Sequence, residues 1–186
     1  MSGGASGWTC ELVRTLTRNP WFGVVEQKVT RPDGSTIPYF TIDFPRPSVG
    51  IVVRRGDDFL LIRQYRFIVG EFVWAIPSGG VEPGEDPAAA AAREMEEETG
   101  YRAQAGLRHL FGYYPSYGCG NQRFELYLAN DPVRVRETLD PQEVMSTQWF
   151  SRRDVAAMIA RNEIADGLSL TPLLALLLED AGALER

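Results

Sequence analysis

The sequence predicts an α/β fold. Short stretches with strand character, apolar or alternating and bounded by Gly, Pro, Asn and Asp, recur along the chain. Between and after them lie helix signals: an Asp-Pro start with an alanine run ending at Gly100, a Ser-led segment after Phe150, and a Leu-rich C-terminal stretch. With 186 residues, 44% of them hydrophobic, the chain suffices for one domain with a sizeable core and is too short for two large ones.

Residues 1–7 are small and polar, without a basic segment leading into an apolar core, so they read as a disordered tail rather than a signal peptide. Residues 8–47 form a strand module. Trp21 to Thr30 and Thr36 to Phe44 flank the turn signal Arg31-Pro32-Asp33-Gly34 and are expected to pair as a hairpin. Trp21, Phe22, Phe40 and Phe44 either pack on strand faces or offer a stacking surface to a nucleobase. Pro45-Arg46-Pro47 breaks the chain, and residues 48–186 form the core of the same domain.

Val49 to Arg54 and Phe59 to Tyr65 are strands joined across Gly56-Asp57, and the second ends in Arg63-Gln64-Tyr65-Arg66. Arg63 and Arg66 are either solvated or placed for a pyrophosphate, since guanidinium is the preferred multi-donor partner for phosphate. Phe72 to Pro77 is a short strand that enters Ser78-Gly79-Gly80, where glycines permit tight turning.

A helix then starts at the N-cap Asp86, with Pro87 at its first position, and stops at Gly100. At about 100° per residue, Ala88, Ala92, Met95 and Thr99 share the side expected to face the core, and Glu94, Glu97 and Glu98 share the other. These carboxylates repel one another and sit where the helix dipole favours cations. Such a face is either solvated or balanced by cations: Arg93 supplies one charge, and oxygen-only ligation suits hard ions such as Mg²⁺ or Mn²⁺.

Leu107 to Tyr113 and Phe124 to Ala129 are strands bracketing the loop from Pro115 to Gln122, which is long enough to line a pocket. The single histidine, His109, lies in an apolar strand pattern, and Cys10 and Cys119 show no paired spacing. Nucleophilic schemes, zinc sites and disulfide frameworks are therefore disfavoured, and a reducing cytoplasm fits. Glu143 precedes the strand Val144 to Phe150, Ser151 and Asp154 cap the helix Arg152 to Arg161, and Ile164 to Leu184 carries Asp166-Gly167, with Asp166 in a structural role, and then an apolar helix. A net charge of −6 argues against nucleic acid or acidic membranes as partners, and no apolar run reaches the ~20 residues a membrane helix needs.

Gly79, Glu85, Arg93, Glu94, Glu97, Glu98 and Gly100, with apolar Met95 and Tyr101, fill every position of the Nudix box. Fixed positions at ~5–7% usage each give chance matches on the order of one in 10⁸ starts. The chain is thereby identified as a member of the Nudix hydrolase superfamily. Pro32-Asp33-Gly34, Arg63-Gln64-Tyr65-Arg66 and Trp74-Ala75-Ile76-Pro77 precede the box in the order seen in ADP-ribose pyrophosphatases.

That resemblance implies an α/β/α sandwich around a mixed sheet, a homodimer built partly from the N-terminal strands, and Mg²⁺-dependent cleavage of a nucleoside diphosphate derivative. By the same resemblance Glu94 and Glu98 hold the metal, about two or three ions in the family. Glu97 shares the ligation, the Ser78 carbonyl completes it, Arg93 orients the carboxylates, and Glu143 is the general base. Arg66 grips phosphate, with Arg63, Trp21, Pro115, Tyr117 and Gln122 as further substrate contacts.

Pro115 resembles the proline marker of ADP-ribose hydrolysis. Ala75, Tyr117 and Gln122 instead depart from residues common in that branch, which keeps nucleoside diphosphate sugars such as GDP-mannose or ADP-glucose in view. A Nudix-like nucleotide sensor is the non-catalytic alternative.

Overall fold

A computed structural model describes residues 7–137 and 144–184. Glu143 and the loop from Asp140 fall outside the described residues. The chain divides into two compact units, Met1–Pro47 with Tyr114–Arg123, and Ser48–Tyr113 with Phe124–Arg186.

The first unit is a three-stranded antiparallel sheet in the order β1 (Thr9–Arg18), β2 (Gly23–Thr30), β3 (Thr36–Asp43). The expected turn joins β2 to β3: the Gly34 amide donates to the Arg31 carbonyl at 2.9 Å, and Asp33 Oδ1 accepts the Ser35 amide. The strand expected from Trp21 starts instead at Gly23. The Asn19 side chain accepts the amides of both Trp21 and Phe22, and this curls the segment into a turn. Segment Tyr114–Arg123 is tied to β3, with Ile42 donating to the Cys119 carbonyl and Tyr39 to that of Gly118.

The second unit is built on a mixed sheet whose main path runs β12 (Ser146–Ser151), β5 (Asp58–Arg66), β4 (Ser48–Arg55), β10 (Phe124–Asn130), β9 (Arg108–Tyr113). Only the β4–β10 pair is parallel in that path. β6 (Glu71–Ala75) pairs with β5 and β7 (Ser78–Gly80) with β4. The short pair β8 (Tyr101–Arg102) and β11 (Val133–Arg134) was not legible in the sequence, since two residues carry no periodicity.

Alternation along β4 decides which helix each side chain meets. Val49, Ile51 and Val53 pack with Ala90, Ala91 and Met95 of α1 (Pro87–Thr99), whereas Val52 packs with Val155 and Met158 of α2 (Arg152–Ala160) and Leu173 and Leu176 of α3 (Gly167–Asp180). Helices therefore cover both faces of the sheet, which is the expected α/β/α sandwich. Coverage on both sides is why this strand reads as a near-continuous apolar run.

The boundaries of α1 are those its sequence predicts. Asp86 accepts the amides of Ala88 and Ala89, Pro87 opens the helix, and Gly100 closes it at φ 73°, where a side chain would be strained. Its buried face differs from expectation: Ala90, Ala91, Met95, Glu98 and Thr99 are buried, while Ala92 is exposed. Five consecutive alanines carry no phase, so the alanine positions alone could not orient the helix. The C-terminal helix follows Asp166-Gly167 as expected: Asp166 is its N-cap, accepting the Ser169 amide, and the helix runs Gly167–Asp180.

Among the described residues no helix is long and apolar enough to cross a membrane.

Candidate active site

The site begins where β7 crosses the acidic face of α1. The Glu98 carboxylate accepts the Ser78 amide at 2.6 Å, and this contact, with the sheet behind it, leaves Glu98 only 8% exposed. Gly79 follows because nothing larger fits: a Cβ there would overlap the Glu94 carboxylate. Glycine at this point lets a backbone strand lie directly against two carboxylates.

Arg93 organises the remaining acids. Its Nε and Nη2 reach the two oxygens of Glu85 at 3.0 and 3.1 Å, Nη1 reaches Glu94 at 2.8 Å and Glu97 at 3.1 Å, and Nη2 also reaches the Gly80 carbonyl at 3.2 Å. A planar fork serves this geometry and an ammonium would not. Hydrogen bonding to Glu85 first, and then to Glu94 and Glu97, holds the guanidinium pKa above its usual value against the opposing effect of burial. The Arg93 hydrogen bond in turn lowers the pKa of Glu85, helped by the Glu82 amide at 2.9 Å.

The fourth helix carboxylate, Glu96, points elsewhere and is balanced by Arg102 at 2.8 Å and Arg136 at 3.2 Å. The dipole conflict read from the sequence is thus met by arginines inside and outside the helix.

Glu94, Glu97, Glu98, Arg93 and Ser78, all expected at the site, come together here. The tight Glu85–Arg93 pairing had no assigned role in the sequence, although their opposite charges within one motif were its visible signal. Among the described residues no three His, Cys, Asp or Glu side chains are disposed as a ready metal centre. The chemistry of the expected donors suits a hard divalent ion, since every one is an oxygen, and Arg93 bonds to both Glu94 and Glu97.

Arg66 and Ser78 line one cavity of about 580 Å³, whose other walls include Ile68, Val69, Ala75 and Asp166. Arg63 lies apart from it and stacks over Phe72 and Trp74, with its guanidinium carbon 5.5 and 5.8 Å from the ring centres. In the first unit, Tyr117 lines a smaller cavity of about 220 Å³ with Gln27, Thr41 and Asn121, and Pro115 and Gln122 belong to the same segment. Trp21, also in that unit, is 73% exposed. His109 is exposed rather than packed in the core, with Nε2 2.9 Å from Glu125.

Comparison with known proteins turns on the segment that contains this cluster. The family model described as NUDIX domain matches residues 44–169. The chain belongs to the NUDIX family. A relative from Streptomyces rubellomurinus, described as CMP-5'-(N-acetyl-N-hydroxy-3-aminopropyl)phosphonate hydrolase, is 31% identical over 80% of this chain and 72% of its own. An ADP-ribose pyrophosphatase of Bacillus subtilis is 25% identical over 83% of this chain and 84% of its own. A crystal structure of an ADP compounds hydrolase superposes with a TM-score of 0.77 over 95% of this chain and 97% of that one, at 20% identity, and shares the Nudix fold. The expectation of a Nudix hydrolase stands on the family match, and the expected resemblance to ADP-ribose pyrophosphatases is matched by the similarity to the Bacillus subtilis enzyme. Nudix hydrolases generally use divalent metals.

Proposed function

We propose that this Nudix enzyme hydrolyses the pyrophosphate bond of a nucleoside diphosphate joined to another group, with ADP-ribose yielding AMP and ribose 5-phosphate as the leading substrate. The observation that carries the reading is the complete box folded into one cluster, in which Arg93 gathers Glu85, Glu94 and Glu97 while Ser78 secures Glu98. The cavity shared by Ser78 and Arg66 sets a guanidinium beside that cluster, where a diphosphate needs a multi-donor partner.

Mg²⁺ is the proposed cofactor, with Glu94, Glu97, Glu98 and the Ser78 carbonyl to hold it. When bound, it would neutralise diphosphate charge and lower the pKa of water. The chain's own groups then divide the remaining work. Arg93 keeps the carboxylates fixed, Arg66 grips phosphate, and Glu143 accepts the proton of the attacking water. Trp21, Pro115, Tyr117, Gln122 and Arg63 are retained as proposed substrate contacts.

A nucleoside diphosphate sugar is the second reading, supported by Ala75 in the cavity wall, one of the departures from the ADP-ribose branch. Release of nucleoside monophosphate from a panel of ADP-ribose, several nucleoside diphosphate sugars, NADH, a diadenosine polyphosphate and nucleoside triphosphates, with Mg²⁺ and with Glu98→Gln as blank, tests both. ADP-ribose dominating supports the first reading, and a sugar nucleotide dominating supports the second. Binding of a nucleotide without cleavage of any panel member would replace both with a sensor role.

The proposal includes a homodimer and a single functional domain over residues 1–186. Strand β1 ends its sheet and is exposed along its whole length, with Leu12, Val13 and Leu16 presented to solvent. A long exposed edge with apolar side chains is a pairing template that a second copy would cover. Light scattering should return twice the chain mass of 20.8 kDa, and a mass of one chain at micromolar concentration would remove the dimer from the proposal.

A further inference from the structure

Between β6 and β7 the chain changes partners, from β5 at the Ala75–Ile62 rung to β4 at the Ser78–Gly50 rung. The two residues in the gap, Ile76 and Pro77, belong to neither strand. Proline carries no N–H, and the Pro77 carbonyl accepts the Ile51 amide at 3.0 Å. That leaves the amide of the buried Ile76 in need of an acceptor at a point where the ladder is interrupted. Ser169, 93 residues further along and also buried, provides it: its Oγ accepts the Ile76 amide at 3.1 Å.

Ser169 is itself held in place. It lies in the first turn of α3, where its own amide donates to the N-cap Asp166 carboxylate at 2.9 Å. The side chains of its neighbour Leu168 and of Ile76 both close on Gly50, where an added Cβ would lie 3.1 Å from each. Gly50 is the ladder partner of Ser78, so α3 meets this segment where it enters the box. Two residues past Ile76, the Ser78 amide donates to Glu98 at 2.6 Å. Planar peptides and the locked φ of Pro77 leave few torsions between these two amides. A hydroxyl that fixes the first therefore restricts the second.

We infer that Ser169 is a positioning residue for the candidate active site: through Ile76 it sets the Ser78 amide against the Glu98 carboxylate and aims the Ser78 carbonyl. Its own side chain acts from behind the strand rather than on substrate. The inference rests on the proposed metal site for its effect on activity, while its effect on the Ser78–Glu98 contact is read without metal.

The full chain, ¹⁵N-labelled, is compared with Ser169→Ala, Ser169→Thr and Leu176→Ala well below their melting temperatures. In metal-free protein the Ser78 amide proton, downfield in its charge-assisted bond to Glu98, should move upfield in Ser169→Ala. Titration with Mn²⁺, followed by electron paramagnetic resonance, should give a dissociation constant raised about tenfold, and kcat on the cleaved panel substrate should fall by a similar factor. Ser169→Thr keeps the acceptor oxygen and should return these readouts towards wild type. Leu176→Ala opens a cavity in the core beside the same helix and lowers the melting temperature, yet should leave the Ser78 proton and the Mn²⁺ constant in place. If Ser169→Ala does not fold, Ser169→Cys, whose sulfur is only a weak acceptor, carries the same readouts.

An unmoved Ser78 proton in the Ser169 variant would overturn the inference. So would equal changes in Leu176→Ala, which would make Ser169 a residue of stability alone, or a moved proton with Mn²⁺ affinity and kcat both intact. If the Ser78 proton moves while the wild-type chain binds no Mn²⁺ and cleaves no panel member, Ser169 still sets the Ser78–Glu98 contact and the metal-dependent hydrolase reading fails.

Discussion

Glu98→Gln should lower turnover by about 10²-fold or more while leaving the fold in place. The two effects separate because Glu98 does two jobs. Its Oε2 accepts the Ser78 amide at 2.6 Å, and a glutamine carbonyl of the same shape can still accept that bond. Its charge has no such substitute, and the proposed metal site loses one of its anionic donors. Turnover against Mg²⁺ concentration, together with a thermal melt, reads both. A melting temperature near wild type with kcat sharply reduced is the expected pair. Full activity in Glu98→Gln would take this residue out of the metal site and leave it as a clasp between helix and strand.

Arg93→Lys is expected to cost both activity and stability, although it conserves charge. The guanidinium makes a bidentate contact to Glu85 and further bonds to Glu94, Glu97 and the Gly80 carbonyl, and an ammonium cannot span that set. With the Arg93 side chain 29% exposed, the lost charge-assisted bonds should cost about 1–3 kcal/mol, and kcat should fall because Glu94 and Glu97 are no longer held.

The acid range provides a second readout. Glu85 has a pKa below its ordinary 4.5, chiefly through its hydrogen bond from Arg93, so its contribution is complete above about 4.5 and is lost as pH falls through the lower native value. The lysine variant should bring that native value closer to 4.5 and so flatten this part of the acid limb. Melting temperatures from pH 5 down to pH 3 for both proteins test it. Parallel curves would mean that Arg93 does not govern Glu85.

Helix α1 marks how far sequence reasoning reached. Its ends were legible because caps act locally: Asp86, Pro87 and Gly100 each satisfy a backbone requirement within a few residues. Its orientation was not, because alanines give no phase and because β7, which lies over Glu94 and Glu98, comes from elsewhere in the sheet. The same contrast separates Trp21 from the hairpin beside it. Asp33 and Gly34 announce their turn, whereas the Asn19 contacts that pull Trp21 out of β2 compete with a strand pattern of equal local merit.

The sequence by itself determined the α/β class, the NUDIX family and the identities of the carboxylates and arginine at the candidate site, because a motif at fixed spacing records residue types directly. Only the tertiary structure decided that Glu98 is buried under Ser78, that Arg93 joins Glu85 to Glu94 and Glu97, and that Arg66 shares a cavity with the turn residues Ile68 and Val69. Those relations join strands, loops and a helix distant in the chain. They arise from sheet register and from which face of α1 meets β7, neither of which a linear pattern of residue types contains.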